Sequence, residues 1–215
     1  MRLPLAEALR LYLVTDQASL RGRTLADVLL VAVQGGVRCV QLREKTLATR
    51  DFVALALAVK DLLAPFDVPL IINDRMDVAL ACGAQGVHLG QSDMPVALAR
   101  QLLPPGVFIG LSVENLADVA RAARLPVDYL GISPVYATPT KTDTAIPWGL
   151  AGVRQVRTMT ELPLVAIGGI HQGNAAAVLQ AGADGLAVVS AICSAPDPGA
   201  AARSFQDILK AQPTP

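Results

Sequence analysis

Short runs of aliphatic and β-branched residues recur along this chain at intervals of about 20 to 30 residues, each followed by an Ala/Leu-rich segment with helical spacing. A strand that feeds a helix and then a further strand makes a parallel pair, so repetition of the unit dictates a parallel sheet covered by helices. Eight runs of this kind occur: Leu11–Thr15, Arg38–Arg43, Leu70–Asn73, Gly86–Leu89, Phe108–Ser112, Tyr129–Ser133, Leu164–Ile167 and Gly185–Val189. The intervening helical patterns cover Thr24–Gln34, Thr49–Ala64, Pro95–Leu102, Asn115–Arg124, Leu150–Met159, Gly173–Ala181 and Pro198–Lys210. Eight parallel strands can close on themselves, and 215 residues suit one such domain. The expectation is an α/β protein built as a single (β/α)8 TIM barrel over residues 1–215.

Composition agrees with one buried core. Hydrophobic residues make up 53% of the chain and charged residues 17%, too apolar for disorder. Lys plus Arg and Asp plus Glu number 18 each, so no net field favours nucleic acid, and any anion must be met by a local cluster. Cys39, Cys82 and Cys193 are odd in number and far apart, which fits neither a disulfide framework nor a zinc site; they are expected as small buried hydrophobes. No stretch reaches the roughly 18 uncharged apolar residues of a membrane span. A cytoplasmic protein without a membrane or nucleic-acid partner is expected. Its oligomeric state is not legible, because a barrel's outer helix and a dimerising helix share one pattern.

Boundary residues support the repeat. Thr24 and Asn115 suit helix N-caps, and Gly35-Gly36 and Gly182 suit helix C-termini, where a left-handed residue is needed. Pro134–Trp148 is too long for an ordinary turn and is read as a mobile active-site loop that closes over bound substrates and excludes water.

In a parallel barrel, ligands meet the C-terminal ends of the strands, and here those ends are polar. Period-2 geometry places Gln41, Arg43 and Lys45 on one side of the second strand, a grouping of an amide and two cations that suits a diphosphate. Asp74 and Asp93 close neighbouring strands, and two converging carboxylates beside a phosphate site are what Mg2+ accepts; Asp74 before Arg75-Met76 can equally cap a helix. Gly168-Gly169, with the Gly182–Ser190 segment, is placed like the phosphate site that many barrels form after strands seven and eight, although two glycines also serve a plain tight turn. Neither histidine carries a catalytic assignment: His88 lies inside a strand, pointing to the core or the barrel interior, and His171 follows the Gly-rich turn.

Taken together, Gln41-Leu42-Arg43-Glu44-Lys45, Ile72-Asn73-Asp74, His88-Leu89-Gly90-Gln91-Ser92-Asp93, Thr138-Pro139-Thr140-Lys141, Gly168-Gly169-Ile170 and Val189-Ser190 resemble the thiamine-phosphate synthases, from about Leu11 to the last helix. The resemblance implies a transferase of thiamine biosynthesis that condenses hydroxymethylpyrimidine diphosphate with a hydroxyethylthiazole phosphate, or its carboxylated form, releasing pyrophosphate. It further implies that Gln41, Arg43, Lys45, Asn73, Ser112 and Lys141 hold the pyrimidine diphosphate. Asp74 and Asp93 match the Mg2+ positions, and Thr138, Thr140, Gly169, Val189 and Ser190 match the thiazole-phosphate side. Arg43, Lys45 and Lys141 are the expected catalytic cations, stabilising charge on the departing pyrophosphate.

Two positions depart from the family's commonest pattern: Ser133 stands where many relatives carry a second glycine before the proline, and Ala137 where a proline is frequent. Both are expected to alter loop stiffness and not the reaction. Two rival readings belong to the same scaffold. A thiazole tautomerase resembles the synthase but tends to carry a histidine just after strand five, where this chain has Glu114. A non-catalytic barrel that binds a thiamine precursor and regulates a partner is the other.

Overall fold

The computed structural model describes residues 4–138 and 146–212. Its strands are β1 (Leu11–Val14), β2 (Cys39–Leu42), β3 (Leu70–Asn73), β4 (Gly86–Leu89), β5 (Phe108–Val113), β6 (Tyr129–Ile132), β7 (Leu164–Ile167) and β8 (Gly185–Val188). They pair in chain order, all parallel, and β8 returns to β1 with Leu11 opposite Leu186 and Leu13 opposite Val188. Closure removes both sheet edges, so no row of unpaired backbone groups remains.

Alternation along each strand splits the apolar residues into two cores. Leu11 and Leu13 of β1, Val40 and Leu42 of β2, and Leu70 and Ile72 of β3 point outward and pack under the helices. Tyr12 and Val14, Cys39, Ile71, Tyr129, Val165 and Ala187 belong to a second cluster inside the barrel. The period-2 rule that sorts Leu from Tyr within β1 also turns Gln41 inward, so strand geometry alone aims the polar strand ends at the barrel axis.

The helices are α1 (Leu5–Ala8), α2 (Leu25–Gln34), α3 (Thr49–Leu63), α4 (Met76–Cys82), α5 (Val96–Leu102), α6 (Leu116–Ala122), α7 (Gly149–Arg157), α8 (Gln172–Gln180), α9 (Ser190–Cys193) and α10 (Pro198–Lys210). Thr24 caps α2 by accepting from Asp27 N–H, and Asn115 caps α6 by accepting from Asp118 N–H at 3.0 Å. Such caps contribute about 1 kcal/mol each. Gly36 and Gly182, with φ of 112° and 108°, make the left-handed turns after α2 and α8.

Helix α4 has no counterpart in the sequence reading. It is seven residues long and its N-cap, Arg75, makes no side-chain capping bond, so neither length nor a cap announces it; only Gly83, left-handed at φ 60°, marks its end. The four-residue α1 and α9 are equally short. Cys39, Cys82 and Cys193 are free and buried, as expected. Among the described residues no helix is long and apolar enough to cross a membrane.

Candidate active site

The C-terminal strand ends surround a cavity of about 230 Å³. Of the residues singled out in the sequence, Gln41, Arg43, Lys45, Asn73, Asp74 and Asp93 line one side, with Ser112 beside them. Thr138, Gly169, Val189 and Ser190 line the other. Thr140 and Lys141 lie outside the described residues, within 139–145. The base of that long segment is described: Trp148 N–H donates to Pro134 and Gly149 N–H to Val135, both at 2.9 Å, so its two ends are held together beside the cavity.

The basic arm extends from β2. Its continuation is pinned where Arg43 N–H donates to the Thr15 hydroxyl at 3.0 Å, and the Arg43 guanidinium sits 3.6 Å from Asp16. Lys45 Nζ lies 2.6 Å from Asp74 Oδ2, and with the Lys45 side chain 54% exposed the pair sits at the solvent-facing rim. Gln41 is only 5% exposed, yet its Oε1 has no partner among the described residues and is not enclosed by them. That oxygen faces the cavity as an acceptor. The Asn73 side chain is likewise buried and lines the same wall.

Asp74 does not cap α4. It takes a left-handed conformation, φ 61°, with its N–H donating to His88 C=O at 2.8 Å, and this turn throws the carboxylate into the mouth. A left-handed non-glycine residue costs roughly 1 kcal/mol, a strain that Asp tolerates better than most. Asp93 is held by Gly90 N–H at 2.6 Å. Burial foremost pushes the Asp93 carboxyl above the ordinary aspartate value, with a hydrogen bond and charge repulsion from Asp74 adding to it, while Gly90 N–H and Lys45 oppose it. The Asp74 carboxylate thus stands close enough to Asp93 to bear on its charge, and the two side chains line one stretch of the mouth. Among the described residues no group of three or more His, Cys, Asp or Glu makes a closed metal cage. As a donor set, two carboxylates are of the kind that Mg2+ accepts, since that ion keeps several waters and needs few protein ligands.

The opposite wall carries almost no charge. Gly168 and Gly169 have φ of 102° and 64°, and a Cβ on them would lie 2.7 Å from Pro134 Cβ and 2.8 Å from Tyr136 Cβ. Both glycines are therefore required by the turn itself as well as by its closeness to the cavity. Ile167, Val165, Ala187 and Val189 give this side an apolar face.

Sequence reading missed the residues on the cavity floor. His88 does point into the barrel, but to a purpose: Nδ1 lies 2.9 Å from Tyr129 Oη and Nε2 2.9 Å from Ser112 Oγ. Tyr129 Oη is 3.0 Å from Tyr12 Oη, which accepts from Gln41 Nε2 at 2.8 Å. The available signal was glycine inside strands: a Cβ at Gly110 would overlap the Tyr129 ring and lie 2.5 Å from His88 Nδ1. His171, in contrast, is the N-cap of α8, accepting from Gly173 N–H at 3.1 Å.

Residues 11–192 match the family described as thiamine monophosphate synthase. The chain is 73% identical over 205 residues to a thiamine-phosphate synthase of Albidiferax ferrireducens, covering 95% of this chain and 94% of that one. It is 52% identical over 204 residues to a thiamine-phosphate synthase of Vibrio campbellii, covering 94% and 99%. Among solved structures, a thiamine phosphate pyrophosphorylase from Pyrococcus furiosus superposes with a TM-score of 0.87 at 35% identity, covering 96% of this chain and 98% of that one.

Proposed function

The chain belongs to the thiamine monophosphate synthase family and catalyses formation of thiamine phosphate, and we propose that it joins hydroxymethylpyrimidine diphosphate to a hydroxyethylthiazole phosphate at the barrel mouth, releasing pyrophosphate. The observation that carries this reading is the asymmetry of the cavity. Arg43, Lys45, Asp74 and Asp93 gather on one wall, and a glycine-rich, apolar wall faces them.

In this reading the C–O bond between the pyrimidine methylene carbon and the diphosphate breaks, its electron pair leaves with pyrophosphate, and the thiazole nitrogen lone pair forms the new C–N bond. Arg43 and Lys45 face the growing negative charge, and donors fixed before the reaction stabilise it without reorganisation. Asn73 and Ser112 orient the pyrimidine diphosphate, and the Gln41 carbonyl accepts from it. Thr138, Gly169, Val189 and Ser190 receive the thiazole phosphate, so the two reactants approach across one cavity. Asp74 and Asp93 would hold Mg2+, which when bound supplies charge neutralisation to the diphosphate oxygens. Lys45, paired with Asp74 at the exposed rim, would turn its ammonium to the leaving group. No side-chain nucleophile is needed.

Incubation with both phosphorylated substrates and Mg2+, followed by mass detection, should yield thiamine phosphate and one equivalent of pyrophosphate. Arg43→Ala should mainly raise the requirement for the pyrimidine diphosphate, and Ser190→Ala that for the thiazole phosphate. Folded protein that gives no product would overturn the proposal. Neither a tautomerase nor a binding-only barrel gains support, and Glu114 follows β5 where the tautomerase tends to have histidine.

A further inference from the structure

Five side chains from five strands form one line of hydrogen bonds across the cavity floor. In order they are Gln41 of β2, Tyr12 of β1, Tyr129 of β6, His88 of β4 and Ser112 of β5, joined at 2.8, 3.0, 2.9 and 2.9 Å. Burial above all holds both phenols well above the ordinary tyrosine value, so each keeps its proton.

Counting protons gives the line a direction. Gln41 Nε2 can only donate, so Tyr12 Oη accepts at that end and must place its own proton elsewhere. Among the described residues its further neighbours are the Tyr129 oxygen and the Cys39 thiol, and sulfur is a weak acceptor. With Tyr12 donating to Tyr129, the Tyr129 proton goes to His88 Nδ1, which must be bare. The ring hydrogen then sits on Nε2 and is donated to Ser112 Oγ. An Nδ1–H tautomer would leave the Tyr129 proton facing another donor.

We propose that this line is a one-way hydrogen-bond relay that holds the His88 ring as its Nε2–H tautomer and thereby presents the Ser112 hydroxyl to the cavity as a donor. His88 is then a positioning residue, not a proton-transfer base. The inference rests on the reading of Ser112 as a contact of the pyrimidine diphosphate, whose ring nitrogens and phosphate oxygens are acceptors.

The space for the relay is specified separately from its polar groups. A Cβ at Gly110 would sit 2.5 Å from His88 Nδ1, and one at Gly131 would sit 3.0 Å from His88 Cε1. Glycine inside a strand weakens it, so two glycines on adjoining strands mark a close approach that side chains would block.

The test begins on ligand-free protein, by nitrogen NMR of its two histidine rings assigned with His171→Gln. His88 should show a protonated Nε2 and a bare Nδ1 near neutral pH. A protonated Nδ1 would mean that Gln41 turns its oxygen to Tyr12 and the relay runs backwards, which overturns the proposal. Tyr129→Phe should release the tautomer preference and lower kcat/KM about tenfold, the scale of a lost buried hydrogen bond. In a Ser112→Ala background the same change should cost about twofold at most, because linked groups are non-additive. Full, multiplicative losses would also overturn the proposal. Should Tyr129→Phe not fold, Tyr12→Phe interrupts the relay one step earlier and is read the same way. Because the NMR readout needs no substrate, it stands or falls independently of the proposed reaction.

Discussion

At the closed end of the barrel, Gln85, Asp128 and Asp184 stand immediately before β4, β6 and β8, and each side chain accepts a backbone N–H of the preceding strand: Leu70 at 2.9 Å, Ile109 at 2.7 Å and Leu164 at 2.7 Å. Arg100 and Arg157 bind the same two carboxylates at 2.5 and 2.7 Å and spend further N–H groups on the carbonyls of Val107 and Leu162. At the open end, Asp74 meets a half-exposed lysine, Asp93 meets one backbone N–H, and the two press on each other. The same residue types thus do opposite work. A carboxylate saturated by donors fixed in the scaffold clamps strands together, whereas one with few and mobile partners keeps capacity for a ligand.

Breaking the open end should abolish chemistry and spare the fold. Arg43→Ala is expected to lower kcat/KM by roughly 100-fold or more, the usual consequence of deleting one preorganised charge-stabilising donor. Thermal melts should show an unchanged transition, since among the described residues the guanidinium's one ion pair is with Asp16, at 3.6 Å. A melt that collapses with activity would erase the contrast.

Breaking the closed end should do the reverse. Asp184→Ala strands Leu164 N–H and part of the Arg157 guanidinium and is expected to cost about 1–3 kcal/mol in denaturant unfolding. Turnover per folded molecule should match the parent.

Metal addition sharpens the comparison. Millimolar Mg2+ should raise the melting temperature of the parent protein by mass action, and of Asp184→Ala by the same increment, but not that of Asp74→Asn or Asp93→Asn. An equal shift in all four proteins would overturn the proposed Mg2+ site at Asp74 and Asp93.

The smallest effect is expected of Gln85→Ala, which deletes one neutral acceptor for Leu70 N–H. About 1 kcal/mol should be lost, with kinetics untouched.

Both ends were unequally visible in the sequence. Gln41, Arg43 and Lys45 declared themselves because a period of two forces alternate residues to one face, and the structure turns all three into the cavity. Asp74 did not, because a local reading allowed both a cap and a ligand until its left-handed backbone and the uncapped α4 were known. The clasps of Asp128 and Asp184 were invisible: each partner arginine lies on a different helix, 28 and 27 residues away.

The amino-acid sequence by itself determined the repeat of eight strands, the inward side of each and the residue types at their open ends, because these follow from local periodicity and side-chain size. Only the tertiary structure decided that Tyr12, His88 and Tyr129, up to 117 residues apart, meet beneath Ser112 across the space left by Gly110. Barrel closure sets which strands face one another, and no local pattern encodes what a side chain will find on the far wall.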